Sequence, residues 1–202
     1  QDRHDEGLDW LDFPADRWAD RAAMRTHLWW HKALFHFERG ELDAVLALYD
    51  GLVDPGEDFF YIDMQNCASL LARVELMGGR VGERWAALAD RAAGWVDNHQ
   101  MAFTDVHTIM PLARERRPEA QRHLASLAAF AETDDDNARR TRDHVLPVCR
   151  AVEAFYRGDD ATTIELLFPR KDDLVPLGGS HAQRDVFHLM LLEASLRAGR
   201  FD

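Results

Sequence analysis

Short breaks in helical sequence recur at a nearly constant interval along this chain. The breaks fall at Gly40, at Gly79, near Arg116, at Gly158 and at Gly199, so that neighbouring breaks are 39, 37, 42 and 41 positions apart. Internal similarity with a period of roughly 20 to 50 residues is typical of repeat arrays, in which one small structural unit recurs and stacks on its neighbours. This rhythm constrains the fold more than any single motif does.

Three of the breaks share a local sequence pattern. They read RGELD at 39–43, RGDD at 157–160 and AGRFD at 198–202. A glycine at the end of a helix adopts the left-handed conformation readily, and an acidic residue is favourable at the start of the next helix because of the helix dipole. Ala33 and Ala151 each lie seven positions before their glycine. We therefore expect helical hairpins with small residues where the two helices meet.

Apolar residues between the breaks follow helical spacing, as in Leu42, Val45, Leu46 and Tyr49. The sequence predicts an all-α protein, an α-solenoid of about five tetratricopeptide-like hairpins whose first helix is the longer one. The interval is longer than the roughly 34 residues of an ideal tetratricopeptide unit. Because the sequence stops where a second helix is due, we expect a piece of a longer array. One array is predicted over 1–202, with hairpins at about 17–51, 59–96, 99–131, 137–167 and 180–202.

The charge and cysteine content exclude several classes of protein. A net charge of −12 opposes binding to nucleic acid or to an anionic membrane, since both would repel an acidic surface. Cys67 and Cys149 lack the spacing of a zinc finger or a disulfide framework, which predicts two small core residues. We find neither an apolar run long enough to cross a bilayer nor a secretory signal, and we expect a soluble, cytoplasmic protein.

Histidines are frequent and unevenly placed, with ten in the chain. His27 and His31 are four apart and so share one helix face. His31 and His107 each precede their turn by nine positions. In repeat arrays, first helices line the concave surface, so residues at matching heights face one groove. The predicted ligand-binding residues of this groove are His27, Trp30, His31, Asn66, His107, His181, Arg184 and Asp185.

Each of these patterns also has a structural explanation. His27 and His31 fit half-buried imidazoles packed beside Trp29 and Trp30. Ser180 fits a helix N-cap, and as the direct neighbour of His181 it makes a poor catalytic triad, because adjacent helical residues point apart. The aromatic run 59–61 is more typical of a repeat core than of a cofactor pocket.

Four longer segments together resemble the tetratricopeptide repeat protein 38 family. They are HLWWHKALFHFERGELDAVLALYD at 27–50, RVGERWAALAD at 80–90, FTDVHTIMPL at 103–112 and LGGSHAQRDVF at 177–187. The resemblance implies an α-solenoid in a longer chain and implies no particular reaction. Asp105, in the lead-in to His107, departs from the pattern. The residues that it marks are His27, Trp30, His31, His107, Ser180, His181, Gln183, Arg184 and Asp185.

Two functional hypotheses follow from these observations. The first is a binding or scaffold protein without a cofactor, whose groove takes a peptide, a protein segment or a small polar ligand. The second is a metal-assisted or acid/base hydrolase that uses the same groove. Assembly into a homo-oligomer is a third role left open. In the hydrolase hypothesis, the groups that hold a divalent metal are His27, His31, His107, His181 and Asp185.

Overall fold

The computed structural model describes residues 3–12 and 24–200, and the chain divides into two compact units. Unit 1 is Gln1–Val81 and unit 2 is Gly82–Asp202. No strand occurs within the two described ranges, so the predicted all-α class is confirmed for them. The predicted start of the first hairpin, at residue 17, lies outside the described residues, as do the final residues 201–202.

Unit 1 is built around one long helix. Helix α2 packs against the three other helices of the described part of the unit, and its Trp30 and Ala33 are fully buried. The second helix of the first hairpin, α3, continues into a single π-helical turn at Tyr49–Val53. The helices are α1 (His4–Leu11), α2 (Arg25–Glu38), α3 (Leu42–Leu48) and α4 (Tyr61–Leu76).

Unit 2 contains two hairpins flanked by single helices. The helices are α5 (Arg84–Ala92), α6 (Ala102–Arg114), α7 (Glu119–Ala131), α8 (Asp136–Arg140), α9 (Leu146–Arg157), α10 (Asp160–Leu167) and α11 (His181–Arg197). A π-helical turn, Thr141–Val145, joins α8 to α9. Helix α9 packs against both α6 and α10, and α10 packs against α11. The first helix is longer than the second except in the α6–α7 pair, where both have 13 residues.

The same turn ends five helices, α2, α4, α6, α9 and α11, which correspond to the predicted first helices of the hairpins. One residue adopts a positive φ, and the next residue's N–H donates to the carbonyl five positions back, which is the Schellman motif. In the second turn this residue is Gly78 and not the predicted Gly79. The third turn has a non-glycine residue, Arg116, at φ 52°. The five donor–acceptor pairs are Glu41 to His36, Gly79 to Val74, Arg117 to Leu112, Asp159 to Ala154 and Arg200 to Ser195.

The predicted small-residue positions lie inside the cores. Ala33 and Ala151 have no exposed surface, which lets the two helices of each hairpin approach closely. Cys67 and Cys149 are both buried, as predicted, and are not joined by a disulfide. Among the described residues, no helix is both long and apolar enough to cross a membrane.

Candidate functional site

The first helices of unit 1 are joined by a row of side-chain hydrogen bonds, here called the α2–α4 ladder. Its outer rung is short, with Thr26 Oγ1 donating to Asp63 Oδ1 at 2.6 Å. In the middle rung His27 Nδ1 lies 2.9 Å from Asn66 Oδ1, and since this oxygen only accepts, the proton sits on Nδ1. Trp30 Nε1 donates to Ser69 Oγ at 3.1 Å in the inner rung.

Most of the ladder is buried, and this fixes its chemistry. Trp30 and Asn66 are at most 1% exposed, and His27 stacks on the Trp30 indole with ring centroids 5.1 Å apart. The Arg73 guanidinium lies 5.6 Å from the same indole ring and donates to the Ser69 carbonyl oxygen at 3.1 Å. Trp30 and Asn66, both predicted ligand contacts, are therefore buried where α2 packs against α4.

His31 lies one helical turn after His27 and contacts the rings of both His27 and Trp30. Burial, and secondarily the charge of His27, lowers its pKa to about 4, so the ring is neutral at physiological pH. It lines a pocket of about 560 Å³ together with Trp10, Leu28 and Phe35. The two histidines, four positions apart, thus have different surroundings: His27 hydrogen-bonds to α4, and His31 borders a largely apolar pocket.

A second pocket, here called the helix-start pocket, lies where α2 and α4 begin. It has a volume of about 520 Å³, and its floor includes the buried Thr26 and Asp63 of the ladder. Its walls include Met24, Phe60 and Tyr61, which are 46%, 65% and 49% exposed. The prediction that the aromatic run 59–61 belongs to the core was wrong for Phe60 and Tyr61. Phe60 directly precedes α4 and Tyr61 is its first residue, and both side chains are exposed there.

In unit 2, the segment LGGSHAQRD forms a tight turn and a helix cap. Ser180 accepts from the Gln183 N–H at 3.3 Å, and the Gln183 side chain accepts from the Ser180 N–H at 2.7 Å. Gly178 and Gly179 have φ of 98° and 71°, and a Cβ on Gly179 would lie 2.6 Å from the Phe103 ring. Arg184 donates to the carbonyl oxygens of both glycines. These contacts explain the residues of the LGGSHAQRD segment by the needs of the turn and the helix cap.

The remaining predicted residues of unit 2 have differing exposure. His107 is fully buried between Phe103 and Phe187, and its Nδ1 donates to the Phe103 carbonyl oxygen at 2.7 Å. His181 is exposed at the start of α11, and Asp185 is half-buried one turn later. His27, Trp30, His31 and Asn66 thus belong to unit 1, while His107, His181, Arg184 and Asp185 belong to unit 2.

Sequence patterns did not indicate a cluster of His and Asp side chains that the structure brings together in unit 2. His99 precedes α6, Asp105 lies on α6 and His123 lies on α7, and one ligand atom from each lies within 4.8 Å of the others. His99 Nδ1 is 3.1 Å from Asp105 Oδ1, and His123 Nε2 is 3.9 Å from the same oxygen. The hydroxyl of Ser126 lies 2.8 Å from His99 Nε2. We call these four residues the His99 cluster.

Burial dominates the electrostatics of the His99 cluster. It raises the pKa of Asp105, while the hydrogen bond from His99 and the positive charges of the histidines oppose the rise. Burial lowers the pKa of His123, and the neighbouring carboxylate works against that shift. Cys149 on α9 is also near enough for the Asp105 charge to act on it. Burial first, and this charge second, raises the pKa of its thiol well above the usual value.

The order Ser126, His99, Asp105 has the connectivity of a catalytic triad, yet its setting does not suit acyl transfer. Ser126 lies inside α7, where backbone N–H groups donate to carbonyls four residues back. An oxyanion hole needs N–H donors aimed at the reacting carbonyl, whereas the N–H groups around Ser126 are used within the helix. Sequence reasoning missed His99, His123 and Ser126 because they come from a loop and a second helix, at no common spacing.

No protein-family model matches the chain, and no solved structure matches it. The resemblance to the tetratricopeptide repeat protein 38 family stays a prediction.

Proposed function

We propose that this protein is a tetratricopeptide-like repeat module that binds a peptide segment in the helix-start pocket. The observation that carries the proposal is the group of exposed apolar side chains, Met24, Phe60 and Tyr61, around a pocket with a polar floor. Large apolar side chains gathered at a pocket mark interaction surfaces, whereas apolar side chains scattered singly over a surface do not.

The repeat architecture is supported by the turns and by the helix packing. All five first helices end in the same Schellman turn, although the residues at the turn differ. First helices pack side by side within each unit, α2 with α4 and α6 with α9. In tetratricopeptide-like arrays each hairpin contacts the next, and the first helices line the binding surface. The solenoid of about five hairpins is our proposal for the chain as a whole.

The pocket favours a peptide over a small, purely polar ligand. Its volume of about 520 Å³ falls within the usual range for ligand sites, roughly 300 to 1,000 Å³. The two oxygens of Asp63 already accept from Thr26 Oγ1 and from the Phe60 N–H. A ligand therefore gains most from burying an apolar side chain against Phe60 and Tyr61. Arg25 and Asp58 at the pocket offer a cation and an anion to a peptide backbone and its termini.

The test is selection from a displayed library of random peptides, followed by affinity measurement with the selected synthetic peptides. Phe60→Ser removes an exposed aromatic wall without disturbing the core, and we expect affinity to fall by about tenfold or more. Met77→Ser is the matched control, because Met77 is 53% exposed in the same unit and does not line the pocket. Selected peptides that bind Phe60→Ser as tightly as the unchanged protein would contradict the proposal.

One observation favours the alternative, a metal-assisted hydrolase. The His99 cluster gathers two imidazoles and a carboxylate, which are groups that both hold metals and transfer protons. A hydrolase would also need a substrate pocket at this cluster. The cytoplasmic location and assembly into a homo-oligomer stay predictions of the sequence.

A further inference from the structure

We propose that His99, Asp105 and His123 bind one divalent transition-metal ion, with zinc as the best fit. Three ligand atoms of the kinds that zinc prefers lie within 4.8 Å of one another, and the three residues are held by different parts of unit 2. The inference does not depend on peptide binding, since the helix-start pocket belongs to unit 1.

The hydrogen bonds of His123 leave one ring nitrogen facing a place for a cation. Its Nδ1 lies 3.0 Å from the Val96 carbonyl oxygen and its Nε2 lies 3.2 Å from the Asp105 carbonyl oxygen, so a neutral ring can donate to only one of these acceptors. With the proton on Nδ1, Nε2 presents its lone pair near the Asp105 carboxylate, whose Oδ1 is 3.9 Å away, and a cation can bind both groups. Metal-bound histidines commonly donate their other N–H to a backbone carbonyl in this way.

His99 has the complementary arrangement. Its Nδ1 faces Asp105, and its Nε2 lies 2.8 Å from the Ser126 hydroxyl, which can accept a hydrogen bond as well as donate one. With a metal bound, Nε2–H donates to Ser126 and Nδ1 becomes a ligand. The Asn137 side chain donates to the His99 backbone carbonyl oxygen at 2.8 Å and holds the loop in place. Both histidines therefore have a partner on the nitrogen that faces away from the proposed ion.

Asp105 supplies the anionic ligand and a second, independent indication. The residue is 1% exposed, and its Oδ2 makes no hydrogen bond to any described residue. A buried carboxylate oxygen without a hydrogen bond is costly unless a positive charge is near it. His99 and His123 both approach Oδ1, so the lone pairs of Oδ2 stay available to an ion.

The separations suit zinc after a small closure of the site. Zinc bonds of about 2.0 to 2.2 Å to nitrogen and oxygen place tetrahedral ligand atoms about 3.3 to 3.5 Å apart. The pairs that share Asp105 Oδ1 are 3.1 and 3.9 Å apart. Mixed imidazole and carboxylate ligands also argue against Ca²⁺ and Mg²⁺, which prefer oxygen ligands. Three protein ligands leave a fourth position for water, as in catalytic zinc sites.

The test uses the 202-residue chain purified without a histidine tag and stripped with a chelator. ZnCl₂ is titrated in competition with a chromophoric chelator, and CoCl₂ binding is followed by visible absorption. We expect one zinc per chain, and cobalt absorption bands of a tetrahedral site. Zinc should also raise the melting temperature, because it binds the folded state. A folded protein that binds no zinc above a buffer blank would overturn the proposal.

Three variants identify the ligands. Asp105→Asn keeps the side-chain shape and removes the charge, and it should weaken zinc binding by at least about 100-fold and abolish the thermal shift. Ser126→Ala removes only the partner of His99, and it should weaken binding by about 10-fold to 100-fold. His181→Asn is the control on an exposed histidine of the same unit, with binding unchanged. If zinc binds folded Asp105→Asn as it binds the unchanged protein, the assigned ligands are wrong. If it binds folded Ser126→Ala unchanged, the role given to Ser126 as the partner of His99 is wrong.

Discussion

Arg116 occupies the position at which the four other turns have a glycine with no neighbouring atom in the way. It adopts φ 52°, and its side chain is exposed. Gly40, Gly78, Gly158 and Gly199 adopt φ between 67° and 83°, and a Cβ added to any of them would meet nothing within 4 Å. The same backbone motif thus permits a matched exchange of residues. Arg116→Gly should stabilise unit 2, and Gly158→Ala should destabilise it.

The magnitudes follow from the backbone alone. A left-handed conformation costs a non-glycine residue about 1 to 2 kcal/mol, and glycine removes this cost. Glycine also gives the unfolded chain more conformational freedom, which offsets about 0.5 to 1 kcal/mol of the gain. We therefore expect Arg116→Gly to raise the free energy of unfolding by about 0.5 to 1 kcal/mol. Gly158→Ala should lower it by a similar amount, because an added Cβ there has no steric clash.

Urea denaturation followed by far-ultraviolet circular dichroism measures both changes on one unit, since residues 116 and 158 both belong to unit 2. The midpoints should move in opposite directions, with the slope of the transition unchanged. The double variant should return close to the starting stability, because each change acts on the backbone of its own turn and the two effects should add. A loss of stability in Arg116→Gly would refute the argument that the backbone at this turn is strained.

Two further predictions concern buried contacts. The folded-state pKa of His31, about 4, lies below the unfolded value of 6.5, so stability is intact above pH 6.5 and falls as the pH drops toward 4. Solvent screening of this partly exposed ring limits the loss to about 1 to 2 kcal/mol, and His31→Gln should flatten the dependence in urea midpoints measured from pH 7 to 4; equal slopes would contradict it. Gly179→Ala should cost about 2 to 3 kcal/mol, because its Cβ meets the Phe103 ring and its φ is left-handed. A double-mutant cycle with Phe103→Leu should recover part of that cost, and strict additivity would rule out the clash.

Local sequence predicted the parts of the fold that local physics decides. Glycines at helix ends and alanines seven positions earlier identified the turns, and the structure places these turns and buried alanines there. The second turn was placed one residue late, because Gly78 and Gly79 are adjacent and either can adopt a positive φ. Helical spacing likewise predicted these helices.

Tertiary packing decides the candidate sites, and here the sequence was less informative. Periodicity marks residues that face a core within a helix, but Phe60 and Tyr61 lie where α4 begins, so aromatic composition alone suggested burial wrongly. His99 and His123 lie in separate elements and meet only because α6 and α7 pack together. Asp105 stood out as a departure from a family pattern, and its role emerges only with those two neighbours.

The π-helical turn between α8 and α9 sets the orientation of α8. Successive residues of an α-helix are rotated by about 100° around its axis. Deletion of one residue within Thr141–Val145 would therefore rotate α8 by about that angle around the axis of α9. Asn137 would then face away from the His99 carbonyl oxygen that it now holds at 2.8 Å. A deletion in Thr141–Val145, which contains none of the proposed ligands, would in this way loosen the loop that carries His99. The proposed site would then bind its metal more weakly, although the deletion lies outside it.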